Sequence, residues 1–155
     1  MSTNYDVLLE QAQAITAGEP DLIANLSNLS ALVYHELADV NWVGFYLLRA
    51  PELLVLGPFQ GKVACLRIPF SRGVCGAAAR SQKTQLVHDV HEFADHIACD
   101  AASNSEVVVP IIVNGQVVAV FDLDSPSIGR FIQADADGLS RLGRFIESLN
   151  WQQLC

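Results

Sequence analysis

The apolar positions change texture three times along this chain. Between Tyr5 and Ala17, Val7, Leu8, Ala12 and Ile15 recur at helical spacing, and Gly18-Glu19-Pro20 ends the run. From Asp21 to Leu37, Leu22, Ile23, Leu26, Leu29, Leu32 and Val33 mark the buried side of a second helix, rich in Leu and Ala. At Asn41 the texture turns aromatic and β-branched, and Asn41–Leu48 (NWVGFYLL) reads as a strand. Ala50-Pro51-Glu52 is a turn signal, Leu53–Phe59 a second strand hairpinned to the first, and Val63–Ile68 a third. A loop over Pro69–Gly73 leads to a short helix of small residues, Val74–Ser81, and a short strand, Thr84–Val87.

From His88 to Asn104 no apolar period survives, and a loop this long in a compact domain calls for a function. Two further strands follow, Glu106–Val113 and Gln116–Leu123, joined by the strong hairpin signal Asn114-Gly115. Leu139, Leu142, Phe145, Ile146 and Leu149 then place a long helix over Gln133–Leu149. Hairpin-linked strands with helices at both ends predict an α+β fold. The expected architecture is a roughly six-stranded, mainly antiparallel sheet, with terminal helices on one face and the long loop covering the other. Internal repeats and linkers are absent, so residues 1–155 are expected to form a single domain.

Composition narrows the functional classes. Half the residues are hydrophobic (51%) and 17% are charged, which excludes a disordered chain. The net charge of −8 and the lack of a basic run argue against nucleic acid and anionic membranes as partners. The N-terminus carries no basic region followed by an apolar one, and no apolar run approaches membrane-spanning length, so a cytoplasmic location is expected. Four cysteines, none in a CxxC pair, do not suggest a structural disulfide framework or a zinc ribbon.

The candidate chemistry concentrates between Gly57 and Ser125. Cys75 sits at the start of the small helix after Arg72 and Gly73, where a helix N-terminus and a cation favour thiolate; it also reads as a small core residue among alanines. Cys65, on the third predicted strand, reads as a core residue when taken alone. Cys99 lies in the long loop, where packing does not explain it, and is the candidate functional thiol. Cys155 is terminal and has no assigned role. His88, His91, His96 and Cys99 have metal-capable spacing, H-x2-H-x4-H-x2-C, which would suit zinc without matching a defined motif.

Asp122 and Asp124 flank Leu123 on the last strand, so both carboxylates share one face with Val118 and Val120. Acids continuing an apolar row are costly unless paired, protonated or facing a cavity. Otherwise they mark a solvated strand end. Counting from Asn114-Gly115 with Val113 opposite Gln116 puts Asp122 opposite Val107 and Glu106 opposite Leu123, one step from both aspartates. Trp42 and Tyr46 share a strand face, as core packing or as a surface for a methyl or ammonium group. If Cys99, a second cysteine and the acids line one cavity, an acid could protonate a sulfoxide oxygen while a thiolate attacks sulfur. The resulting sulfenic acid would be resolved by the second thiol as a disulfide.

The segments GPFQGKVACLRIPFSRGVCG, DVHEFADHIACDAASNSEVVVP and VFDLDSP resemble the free methionine-(R)-sulfoxide reductases, which are single GAF domains. The similarity runs from NWVGFY to the terminal helix, with the cysteine triplet and the SE and DLD carboxylates at matching positions. The resemblance implies a GAF-like fold, free methionine (R)-sulfoxide as substrate, thioredoxin as reductant, and no cofactor or metal. It implies Cys99 as nucleophile, Cys65 as resolving cysteine and Cys75 as an accessory or alternative resolving thiol. Glu106, Asp122 and Asp124 would bind the ammonium or protonate the oxide, and Trp42 and Tyr46 would surround the methyl group. A homodimer is expected because GAF domains often pair through terminal helices. The alternative is a ligand-sensing GAF module without catalysis, against which a chain with no output domain argues.

Overall fold

The computed structural model describes residues 2–97, 99 and 101–154. Its centre is one sheet of six antiparallel strands in the order β3-β2-β1-β6-β5-β4. The strands are β1 (Trp42–Ala50), β2 (Leu53–Gly61), β3 (Arg67–Pro69), β4 (Gln85–Val87), β5 (Ser105–Val113) and β6 (Gln116–Ser125). Helices α1 (Tyr5–Thr16), α2 (Leu22–Glu36) and α4 (Gln133–Ile146) cover one face, and α3 (Gly73–Ser81) lies on the other. This is the expected α+β arrangement, with the chain-terminal helices on one side.

Local chemistry starts and stops these elements. Asn4 caps α1 by accepting from the Val7 N–H at 3.1 Å, and Asp21 caps α2 by accepting from Ala24 N–H at 2.8 Å. Asn114 and Gly115 both take positive φ, as the tight β5–β6 turn requires. The helix predicted to Leu149 stops at Ile146, after which Trp151 folds back, buried, and donates from Nε1 to Ile146 O at 2.8 Å.

Strand alternation divides the interior in two. Phe45, Leu47, Val107, Val109, Phe121 and Leu123 point toward α1, α2 and α4 and form the main core. Trp42, Tyr46, Val108, Val117 and Val120 point the other way, toward Val74, Cys75, Ala78 and Ala79 of α3. The second, smaller core is where the acids lie.

Three expectations are corrected. The strand predicted over Val63–Ile68 is reduced to Arg67–Pro69, so Cys65 lies in an irregular turn. The reason is that side chains take up carbonyls within and just before the predicted strand: Lys62 O accepts from Trp42 Nε1 at 3.2 Å and Cys65 O from the Tyr46 hydroxyl at 3.0 Å. The segment His88–Asn104 is less bare than its sequence suggests. It contains a 3₁₀ turn over Val90–Glu92, buries Val90 in the second core with Phe93 and Ile97 beside it, and is closed at its ends by Val90 N–H donating to Asn104 O at 2.9 Å.

The third correction concerns register. Val113 pairs with Gln116 as counted, but a β-bulge at Ile111/Ile112 follows, where two residues of β5 face Val117 to Ala119 of β6. Beyond it the pairing is shifted by one, so Glu106 lies opposite Asp124, and Asp122 opposite Val108. Val118 turns to the main core, and Val117 takes its expected place beside Val120. The counted register would have put Glu106 on the Leu123 face, away from the aspartates; the bulge brings it to theirs.

Candidate active site

Three adjacent strands supply the floor of a cavity on the α3 side. Because β1 pairs with β6 with Trp42 opposite Asp124 and Gly44 opposite Asp122, an aromatic row runs beside an acidic one. Gly44 is required in that row: a Cβ there would collide with Phe59 Cβ and come within 2.7 Å of the Trp42 ring. Its absence lets Trp42 stack on Phe59 at 5.2 Å and on Tyr46 at 5.8 Å between ring centroids. The two aromatics have a second job, since their polar ends hold the Lys62 and Cys65 carbonyls and so fix the cysteine-bearing turn above the floor.

Cys65 and Cys99 are joined in a disulfide, their Cα atoms 5.3 Å apart across a sequence separation of 34. Cys99, with Val63 and Ala64 of the Cys65 turn, lines the cavity mouth; Cys75, Glu106 and Asp122 line its depth. The cavity, open on one side, has about 40 Å³ of free space, room for a few waters and too little for an amino acid. Cys75 is a buried free thiol, and the terminal Cys155 lies outside the described residues.

The acids are nearly sealed from solvent, Glu106 and Asp122 being 6% and 5% exposed. Burial pushes the Glu106 carboxyl well above its usual range, and the neighbouring Asp122 and Asp124 push it further. Burial also raises Asp122, opposed by hydrogen bonds from Glu106 and Cys75 that favour its ionised form. Burial and the two aspartates thus all favour the protonated form of Glu106, whose hydrogen bond to Asp122 favours the ionised form of that partner. The Cys75 thiol is held up by burial first, then by Asp122, Glu106 and Asp124, so it is a protonated neighbour of the acids and not a thiolate. One Asp122 oxygen, Oδ1, is buried with no hydrogen-bond partner among the described residues, an acceptor open to a donor entering the cavity.

The structure thus brings Cys65, Cys75, Cys99, Glu106, Asp122, Asp124, Trp42 and Tyr46 to one place. The loop histidines separate. The Gly129 N–H donates to His88 O at 2.8 Å and His91 Nε2 bonds Asn104 at 2.9 Å, while His96 lines the cavity 3.8 Å from Glu106. The Cys99 sulfur is shared with Cys65, so the zinc set H-x2-H-x4-H-x2-C loses its thiolate. Among the described residues, the donors close enough to share an ion are Cys75, Glu106 and Asp122. Sequence reasoning missed His96 and Ser103 as cavity residues. Each sits within three residues of Cys99 or Glu106, and that proximity was the available signal.

Residues 23–148 match the GAF domain family. The chain is 51% identical over 145 residues to the free methionine-R-sulfoxide reductase of Escherichia coli (strain K12), covering 94% of this chain and 87% of that one. Staphylococcus aureus fRMsr, solved in complex with substrate, superposes with a TM-score of 0.89 at 46% identity, covering 100% of this chain and 98% of the other. The free methionine-R-sulfoxide reductase of Neisseria meningitidis, solved in complex with its substrate, superposes at 0.93 with 39% identity, covering 100% and 96%. The chain belongs to the GAF family, within its branch of free methionine-R-sulfoxide reductases.

Proposed function

We propose that this protein is an oxidoreductase that reduces free methionine (R)-sulfoxide to methionine. One observation carries the reading: a disulfide stands at the mouth of a cavity floored by a buried glutamic acid whose protonated form is favoured by its surroundings. A purely ligand-sensing module would leave that disulfide without a task.

In the reduced enzyme the substrate ammonium lies against Asp122 and Asp124, and its Sε-methyl against Trp42 and Tyr46. The unpartnered Asp122 Oδ1 supports the ammonium assignment. Glu106 donates its proton to the sulfoxide oxygen as Cys99 attacks sulfur. Methionine leaves, and the oxygen stays on Cys99 as a sulfenic acid. The Cys65 thiol displaces that oxygen as water, forming the disulfide present in the structure. Thioredoxin, a protein dithiol, returns both cysteines to thiols. Cys75 is accessory: buried beside Asp122, it is outside the disulfide and stands as a reserve thiol.

The reading includes a single GAF domain over residues 1–155, acting in the cytoplasm, where thioredoxin is reduced. Among the described residues no helix is long and apolar enough to cross a membrane. It also includes a homodimer formed through the terminal helices, supported by Val7 and Ile15 on α1 and Ile23 on α2, which remain exposed. Sedimentation of the purified protein tests that part. The activity is tested by coupling NADPH oxidation through thioredoxin to each sulfoxide epimer. Turnover is expected with the free (R)-epimer and not with its peptide-bound form; turnover that survives Cys99→Ser would overturn the mechanism.

A further inference from the structure

The Cys65 half of the disulfide lies in a segment electrically unlike the rest of the chain. Residues 53–88 contain no Asp or Glu, yet hold five of the nine Lys and Arg residues. That segment carries +5, in a chain of net −8. Within it, the Lys62–Arg67 turn brackets Cys65 with a cation at each end, both exposed. Between them Val63 and Leu66 are 88% and 63% exposed, more than any other large hydrophobic side chain among the described residues. The turn is not loose. Trp42, Tyr46 and Leu56 hold its carbonyls, so its apolar side chains are presented outward by a fixed backbone. Among the described residues both lie outside the two cores, and one sulfur of the disulfide they flank must be reached from outside in every cycle.

We propose that the Lys62–Arg67 turn is the docking surface for the protein dithiol that resets the enzyme, and that this partner attacks Cys65. The proposal rests on the reductase reading above. The partner it fits has an apolar rim around its attacking thiol and a net acidic surface, since cations flanking exposed apolar groups steer and register an acidic face. A second copy of this chain fits poorly: a two-fold interface centred on the turn would set its two cations against the same two cations of the other copy. The exchange balances. The partner's thiolate bonds to Cys65 Sγ, the Cys65–Cys99 bond breaks, and Cys99 leaves with the electron pair and takes up a proton. The partner's second thiol then displaces Cys65, which is protonated in turn, and the partner departs as a disulfide. Attack in this direction frees first the cysteine that meets the next substrate.

The test uses Leu66→Glu and Arg67→Glu, singly and together; neither residue lines the cavity. Turnover is driven either by a purified bacterial thioredoxin or by dithiothreitol. The double variant is expected to raise KM for thioredoxin about tenfold or more, the equivalent of losing one good anchor. Its dithiothreitol-driven rate should stay at the wild-type level, which also shows that it is folded. Wild-type KM for thioredoxin should rise as NaCl goes from about 50 to 300 mM. Thioredoxin whose second active-site thiol is replaced by serine should be trapped on Cys65, as read by peptide mass spectrometry. An unchanged KM in the double variant, or trapping on Cys99, overturns the docking surface while leaving the reductase reading intact. A variant that instead changes sedimentation shows the face to be covered by a second copy and overturns it too. Turnover with dithiothreitol but none with thioredoxin rejects both the partner and its surface, and failure with both reductants rejects the reductase reading itself.

Discussion

Glu147 is far from the cavity in sequence and role, yet it anchors the strand that carries Glu106. Beside the bulge, the Ile112 N–H donates to Glu147 Oε2 at 2.8 Å. Glu147 stands one residue past α4, paired also with Arg144 at 3.0 Å. Truncation by Glu147→Ala removes both contacts. The Arg144 pair counts for little, about 0–1 kcal/mol, because the Arg144 side chain is 55% exposed. The Ile112 bond matters more: it joins an ionised acceptor to a half-buried backbone donor that would be left unpaired, about 1.5–3 kcal/mol. A net loss of about 2 kcal/mol is expected, or roughly 4–8 °C in Tm for a domain of this size. Glu147→Gln retains an acceptor oxygen and should lose about half as much.

The register itself should hold. Slipping β5 back by one residue would turn Glu106 into the main core beside Leu123 and take Val107 out of it, a cost far above that of the lost hydrogen bond. Urea unfolding should therefore show a lower midpoint with an unchanged slope, faster amide exchange at Ile112, and KM for substrate within about twofold of wild type. Undiminished stability would refute the role given to Glu147. Lost activity at preserved stability would show that the register had moved, and would refute the argument that face alternation alone can hold it.

Other expectations concern the site directly. Glu106→Gln should lower the rate of sulfoxide reduction by about 10²–10⁴, with little change in substrate KM, in a dithiothreitol-driven assay. The same variant tests the pH linkage. The Glu106 carboxyl is raised above 4.5 in the folded state, so it stabilises the fold fully at low pH and progressively less as pH climbs through its folded value. Tm of Glu106→Gln minus Tm of wild type should therefore grow from pH 4.5 to pH 8, and a flat difference would contradict the raised value. Gly44→Ala should cost about 1–3 kcal/mol by forcing Phe59 and the Trp42 ring apart, and should raise substrate KM, measured by denaturation and steady-state kinetics. Oxidised enzyme should give no calorimetric signal with methionine (R)-sulfoxide while reduced Cys99→Ser does, because the disulfide leaves too little room; binding to the oxidised form would contradict this. Cys75→Ala should still lose two thiols per chain on reaction with one equivalent of substrate, counted by thiol titration.

What could be read from the sequence, and what could not, follows from the range of each signal. Strand alternation is a local rule, and it correctly set Asp122 and Asp124 on one face, and Trp42 and Tyr46 on another strand's matching face. The loop thiol Cys99 was conspicuous because nothing in its neighbourhood could pack it. Its pairing with Cys65 was not local: 34 residues apart, it was carried by family resemblance and not by spacing. The strand expected around Cys65 failed for the same reason, since the groups that claim its carbonyls, Trp42 and Tyr46, are about 20 residues upstream. The bulge is the instructive case. An extra residue reveals itself in a sequence only where the faces it joins differ in polarity. Here β5 reads VVVPIIV and β6 reads VVAVF, apolar on both faces because each side of the sheet covers a core. With no alternation to interrupt, an inserted residue is silent, and the Ile112 N–H across from it is satisfied by Glu147, from another element altogether. A two-residue turn read by itself therefore gives the register next to the turn and nothing beyond it. In a sheet buried on both sides, the face of a distant residue such as Glu106 is decided by tertiary contacts, and the carboxylate that makes this site acidic is the one whose position local rules get wrong.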